Sequence, residues 1–241
     1  MLIRRANGII GYTIAIVLAG FTGSHAQSWD MHFNVGFASY SHPELRKYQE
    51  YLLRELIVPG EATETFPPYF TFAVGVNKNW AQWKLGFEVG HGSTGGRIYY
   101  QDYSGKLVAD QLLYYNYLGI TPSVVLHKND GLLINAGLKV SLILHNLVIR
   151  NKIKIQNDVT SEDVKFLSGN LGFQPHVRVR RNIGSTFFVQ GTAGYELQDR
   201  RETLAPDKNG AYLADENSEP VHLQGSGFRF SAGVGFVFPS K

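Results

Sequence analysis

The chain has 241 residues, no cysteine and a formal net charge of +3. That is length enough for a single domain, and disulfides, a lipidated N-terminal cysteine and thiolate metal sites are excluded. Aromatics at 13% and 26 glycines are high for a water-soluble protein and a charged share of 18% is low. No Lys/Arg cluster coincides with a recognition motif, so no nucleic-acid partner is expected.

Residues 1–26 open with Arg4 and Arg5 and no acid, continue through the apolar run Ile9 to Phe21, and end at Ser24-His25-Ala26. A basic start, an apolar stretch of this length and a small-x-small site describe a signal peptide for export, cleaved after Ala26. The run is shorter than the ~20 residues of a membrane-spanning helix. Loss of Arg4 and Arg5 takes the charge from +3 to +1, so the basic balance says little about partners. No later segment approaches a spanning helix, and insertion into a bilayer would have to use strands.

Eight stretches of the remaining chain, residues 27–241, alternate with period two, the signature of strands with one apolar and one polar face. They are expected at Met31 to Ser39, Phe70 to Val76, Trp83 to His91, Leu112 to Leu126, Leu132 to His145, Phe166 to Arg180, Thr186 to Leu197 and Leu223 to Phe238. The connections 77–79, 128–131 and 181–184 are short and rich in Asn, Asp and Gly, residues that tolerate positive φ in tight turns. The connections 40–69, 92–111, 146–165 and 198–222 are long. Strict long-short alternation is the rhythm of barrels with short periplasmic turns and long outer loops.

The faces decide the solvent. Glycines such as Gly36, Gly75, Gly90, Gly137 and Gly235 share the polar parity; glycine weakens a water-facing strand, but inside a narrow cylinder it leaves room for long side chains. The apolar parity then faces lipid. Trp29, Tyr40, Tyr69, Trp80, Trp83, Tyr114 and Tyr195 lie near strand ends, where interfacial girdles form. Pro122 and Pro175 interrupt the fourth and sixth strands, and bulges are expected there, since a closed barrel offers no edge. In the first long connection, Ser41-x-x-Glu44 reads as a capping box with Pro43 in the first turn; Leu45, Tyr48, Leu52 and Leu56 follow at helical spacing.

The fold class expected is therefore all-β: a closed antiparallel eight-stranded transmembrane β-barrel with a short amphipathic helix in the first extracellular loop. This organisation resembles the small OmpA/OmpX-type barrels, the porin-family or outer membrane β-barrel proteins, over essentially all of 27–241. Within the last strand Ser231, Gly233, Phe236 and Phe238 are similar to the polar-x-Gly-x-x-apolar-x-apolar signal that the barrel-assembly machinery reads. Family members usually stop at the aromatic, whereas Pro239-Ser240-Lys241 follow here. The resemblance implies the outer membrane as location. It also implies its lipid and lipopolysaccharide as surroundings, the assembly machinery as a partner during biogenesis, and an envelope protein as a partner of the loops.

The inward parity carries Lys84, Glu88, Lys139, Arg178, Arg180, Glu196 and Arg229, with His32, His145 and His176. These read either as the lining of a selective channel or as a plug of ion pairs; the plug is expected, because continuous aqueous channels belong to barrels of 16 or more strands. A narrow pore or small-molecule transporter remains the alternative. His91-Gly92-Ser93 is comparable with the His-x-Ser pair of lipid A deacylases, a second alternative, but no Glu follows until Glu162. Neither the palmitoyltransferase nor the omptin barrels match better. No catalytic residue, cofactor or metal site is expected, the eight histidines showing no ligand spacing.

Overall fold

The computed structural model describes residues 28–56, 58–103, 105–155, 158–205 and 211–239; the expected signal peptide lies outside them. The elements run in the order β1 (Ser28–Ser41), α1 (Pro43–Glu55), β2 (Glu61–Thr65), β3 (Tyr69–Asn79), β4 (Trp83–Gln101), β5 (Gly105–Lys128), β6 (Leu132–Ile155), β7 (Asp158–Ile183) and β8 (Phe187–Gln198). The short strands β9 (Arg201–Glu202), β10 (Leu204–Ala205), β11 (Ala211–Tyr212) and β12 (His222–Leu223) precede β13 (Ser226–Pro239).

Eight of these strands close a ring. The sheet runs β7-β6-β5-β4-β3-β1-β13-β8, and β8 pairs back onto β7. First and last strands join in one uninterrupted antiparallel register from Ser28↔Pro239 to Ser41↔Ser226. Closure satisfies every strand laterally, the condition for backbone in hydrocarbon. The apolar parity points outward: Phe33, Phe72, Phe87, Leu118, Leu142, Phe173, Val189 and Phe230, one from each ring strand, are 40 to 55% exposed. An apolar belt around a closed barrel whose polar side chains are buried inside is the inverse of a soluble barrel, and lipid is the solvent that fits it.

The strands differ greatly in length. β5 and β6 have 24 residues and β7 has 26, against 14 for β1, 12 for β8 and 14 for β13. Much of what the sequence suggested as loops 92–111 and 146–165 is strand, paired in unbroken register from Gln101↔Lys106 to Trp83↔Val124 and from Ile155↔Asp158 downward. On this upper wall the outward row Arg97, Asp110, Arg150 and Asp163 alternates in charge across four strands. Arg97 Nε donates to Asp110 Oδ1 at 2.5 Å and Arg150 Nη2 to Asp163 Oδ2 at 2.9 Å. Such charges belong in water, so the wall stands above the membrane. β2 covers its edge on β4.

The two prolines do not produce bulges. Leu85↔Pro122 and Leu138↔Pro175 sit in otherwise continuous registers. The ladder simply skips on the other side of each, between Ile120↔Val140 and Ser123↔Gly137 and between Phe173↔Leu197 and His176↔Gly194. Both prolines lie in the row of Leu138, and each missing N–H falls in its own local gap, on the β6 side of Pro122 and on the β8 side of Pro175. Register shifts occur elsewhere, between Val125 and His127 near the turn and between Ala62 and Glu64 on β2.

Helix α1 forms as its spacing predicts, burying Leu45 and Gln49, but His42 and not Ser41 is its N-cap and no side chain caps it. Glu44 is drawn elsewhere: its carboxylate pairs with Arg200 and accepts a bond from the His222 N–H at 2.8 Å. Partial burial pushes that carboxyl up, but the bonds from His222 and Arg200 hold it below the usual carboxylate range. Leu45 joins Phe66, Leu113, Leu147, Ile149, Phe166, Leu213, Val221 and Leu223 in an apolar core. This core sits above the lumen and makes the outer segments a packed crown.

Candidate functional site

The lumen is the first place to look for function, because polar side chains buried in a barrel are retained only at a cost. All seven charged residues expected there are buried, and strand register sorts them into layers. In the lowest layer Asp30, fully buried on β1, accepts from Arg180 Nη1 at 2.7 Å, Asn77 Nδ2 at 2.5 Å and Asn79 Nδ2 at 2.9 Å. The Arg180 guanidinium stacks 3.7 Å from the Phe188 ring centre.

In the middle layer Glu88 Oε1 accepts from the Tyr117 hydroxyl at 2.5 Å and from Lys139 Nζ at 3.5 Å, while Asn34 Nδ2 and His32 Nε2 approach Oε2. Lys139 lies 4.2 Å from the Tyr117 ring centre, a cation–π contact. In the upper layer Glu196, with no exposed surface, accepts from Tyr115 at 2.6 Å, Tyr40 at 2.9 Å, Gln198 at 2.7 Å and Arg229 at 3.4 Å. Arg229 also donates to the Tyr117 hydroxyl at 2.7 Å and so ties the two layers together. Arg178 stands apart from these pairs and donates to Thr192 Oγ1 at 3.3 Å.

The space this leaves is small. The cavity at mid-barrel, lined by Glu88, Lys139, Arg178, Arg229 and their neighbours, holds about 20 Å³, room for about one water. Gly90 shows how tightly the layers are fitted: a Cβ there would collide with the Tyr117 ring. Above, Tyr40 and Tyr69 meet edge to face at 5.8 Å under the crown core.

Tyr40 and Tyr69 were expected in the outer girdle and instead point inward, both buried. A tyrosine at a strand end suits either place, its ring apolar and its hydroxyl polar, and Glu196 supplies the partner that draws Tyr40 in. Trp29, Trp83 and Tyr195 do face outward, and the Lys78 ammonium lies 5.3 Å from both the Trp29 and the Trp80 ring centres. Asp30, Tyr115 and Tyr117 are lumen residues that the sequence pattern passed over.

The residues of the assembly motif divide between the faces. Phe236 and Phe238 are exposed to the lipid side opposite Met31 and Trp29. Gly233 leaves the space that Asn34 occupies, and Ser231 borders the mid-barrel cavity. His91 and Ser93 are both on the outer surface, where His91 Nδ1 bonds Asn116 Oδ1 at 2.8 Å. Glu162 is not their neighbour. Following the registers, the row of Ser93 reaches β7 at Leu167, three strands away, and Glu162 lies five residues further along. Among the described residues no three His, Asp or Glu side chains converge as a metal site.

No family model and no curated protein matches the chain. Among solved structures, Ail, the attachment invasion locus protein of Yersinia pestis, aligns over 89% of this chain and 100% of its own at 10% identity and a TM-score of 0.40. The outer membrane protease OmpT of Escherichia coli aligns over 90% and 98% at 9% identity and 0.44. The outer membrane protein AlkL aligns over 91% and 93% at 11% identity and 0.45. Likenesses at these scores decide nothing about activity. The ring closure, the outward apolar belt and the inward polar layers are features of the chain itself, and they make it an integral β-barrel of the small outer-membrane type.

Proposed function

We propose that the protein is a non-catalytic outer-membrane barrel whose lumen is plugged and whose crown is its working part, binding an envelope or extracellular partner. The observation that carries this reading is the stack of interlocked ion pairs through the barrel, with room for about one water between them and an apolar core above. An open pathway for ions or nutrients would have to part these layers, two of which Arg229 ties together.

The crown offers a surface to bind with. A cleft of about 450 Å³ opens between α1 and the segment before β12, lined by Lys47, Tyr48, Tyr51 and Arg54 on the helix and by Asp215, Glu216 and His222 opposite. Arg54 Nη2 reaches across to Glu216 Oε2 at 2.6 Å. Aromatic and charged groups on a fixed scaffold are the usual substance of binding hot spots. Lipopolysaccharide surrounds such a crown, and the assembly machinery would meet the barrel through β13.

The plug is tested by single-channel recording of the purified protein in planar bilayers. Electrical silence is expected; discrete conductance steps altered by Glu88→Gln or Arg229→Met would overturn the plugged reading in favour of a narrow pore.

A further inference from the structure

The charges of the lumen do not balance, and part of the excess lies at the periplasmic mouth. The buried acids are Asp30, Glu88 and Glu196; the buried Lys and Arg residues are Lys84, Lys139, Arg178, Arg180 and Arg229. Arg180, Lys139 and Arg229 pair with the three acids, which leaves Arg178 and Lys84. Arg178 has its bond to Thr192 at mid-barrel.

Lys84 is in a different position. Only 5% of its surface is exposed, yet among the described residues its ammonium has neither a hydrogen bond nor an ion pair. The nearby candidate, Asp30, is taken by Arg180, Asn77 and Asn79. The Asp30 charge acts on Lys84 as well as on Arg180, so two cations have one carboxylate between them, and an anion from outside the chain would complete the balance.

The surroundings of Lys84 fit such a counter-ion. Lys84 lines a vestibule of about 180 Å³ that opens between the short turns, together with Arg180 and Lys128. Ser28, Asn79, Asn182 and Ser185 contribute neutral polar groups, and no acid lines it. Lys84 and Arg180 within low-dielectric walls, one of their charges offset by Asp30, and Lys128 exposed at the rim leave a net positive potential on one small volume. The packed layers above make the vestibule a dead end, and the strand ring separates it from lipid headgroups.

We propose that this vestibule is a binding site for a small oxyanion of the phosphate class, entering from the periplasm and held chiefly by Lys84, with Lys128 at the rim and Arg180 behind. The site does not depend on what the crown binds. It is tested with inorganic phosphate on the full-length mature chain folded in detergent. The thermal unfolding midpoint is followed as phosphate replaces chloride at constant ionic strength, and binding heat is measured by calorimetry. A saturable rise with a one-to-one binding heat is expected, with half-saturation at least tenfold weaker in Lys84→Gln, unchanged in Lys152→Gln, an exposed control on the upper wall, and retained in Lys84→Arg. A non-saturable rise of equal slope in Lys84→Gln would be a general salt effect and would overturn the proposal. So would the absence of binding heat in the unmutated chain, a result that stands even if Lys84→Gln does not fold.

Discussion

Arg229 is where two layers of the lumen meet, since it bonds Glu196 in one and Tyr117 in the other. Truncating it leaves Glu196 charged and buried with only neutral donors, and breaking a buried pair in this way costs about 3 to 5 kcal/mol. Arg229→Ala should therefore lower the unfolding free energy by that order, measured by urea titration in detergent. Adding Glu196→Gln should recover part of the loss, because the uncompensated charge is then gone, so the two effects should not add. Alternation along the strands was enough to place Arg229 and its six charged companions inside, since parity assigns a face without knowledge of neighbours. It was not enough to pair them. Partners depend on the stagger between strands, and Arg180 finds Asp30 on β1, 150 residues away in sequence. Asp30 itself escaped notice because it sits just before the first clear apolar alternation, at Met31.

The crown is held by few elements, and α1 is the one most open to test. His42 at its start is 3% exposed and its ring lies 5.9 Å from that of Phe66. Burial, reinforced by the nearby His145 and Arg46, pushes its pKa down to about 3 from the ordinary 6.5. The undocked helix therefore takes up a proton below about pH 6.5 that the docked helix refuses, and docking weakens as pH falls from there toward 3. Glu44, also held below its ordinary range, adds a loss of the same sign at lower pH. A spin label at Lys47→Cys should gain mobility between pH 6.5 and 4, and His42→Phe should remove most of the change above pH 5. The helix was legible from its apolar spacing, but its cap was not. The tertiary partners Arg200 and His222 outbid the local capping box for Glu44. The upper parts of β4 to β7 were illegible for a related reason: above the membrane the faces exchange character, apolar Ile98, Leu147 and Ile149 buried inward and charged Arg97, Asp110, Arg150 and Asp163 outward, so the parity of the spanning segments does not continue and 92–111 and 146–165 read as loops.

At the scale of the whole molecule, the eight-strand ring and the presence of its short turns were readable, because lipid outside and polar packing inside impose one rule on every strand; two turns lie later than expected, at 80–82 and 184–186 instead of 77–79 and 181–184. The orientation follows from those turns and can be checked without background, as the chain has no cysteine. Single cysteines in place of Ser161 and Asp215 should react with a membrane-impermeant maleimide on intact cells, and one in place of Asn129 only after permeabilisation; the opposite pattern would invert the barrel. One consequence of unequal strand lengths remains. Strands of 24 to 26 residues beside strands of 12 to 14, at about 3.3 Å per residue and a tilt near 40°, raise one side about 30 Å above the other. A neighbour drifting in the plane of the membrane thus meets a charged screen from one quarter. From the opposite quarter it crosses a low parapet to the cleft beside α1, so the molecule has a front and a back.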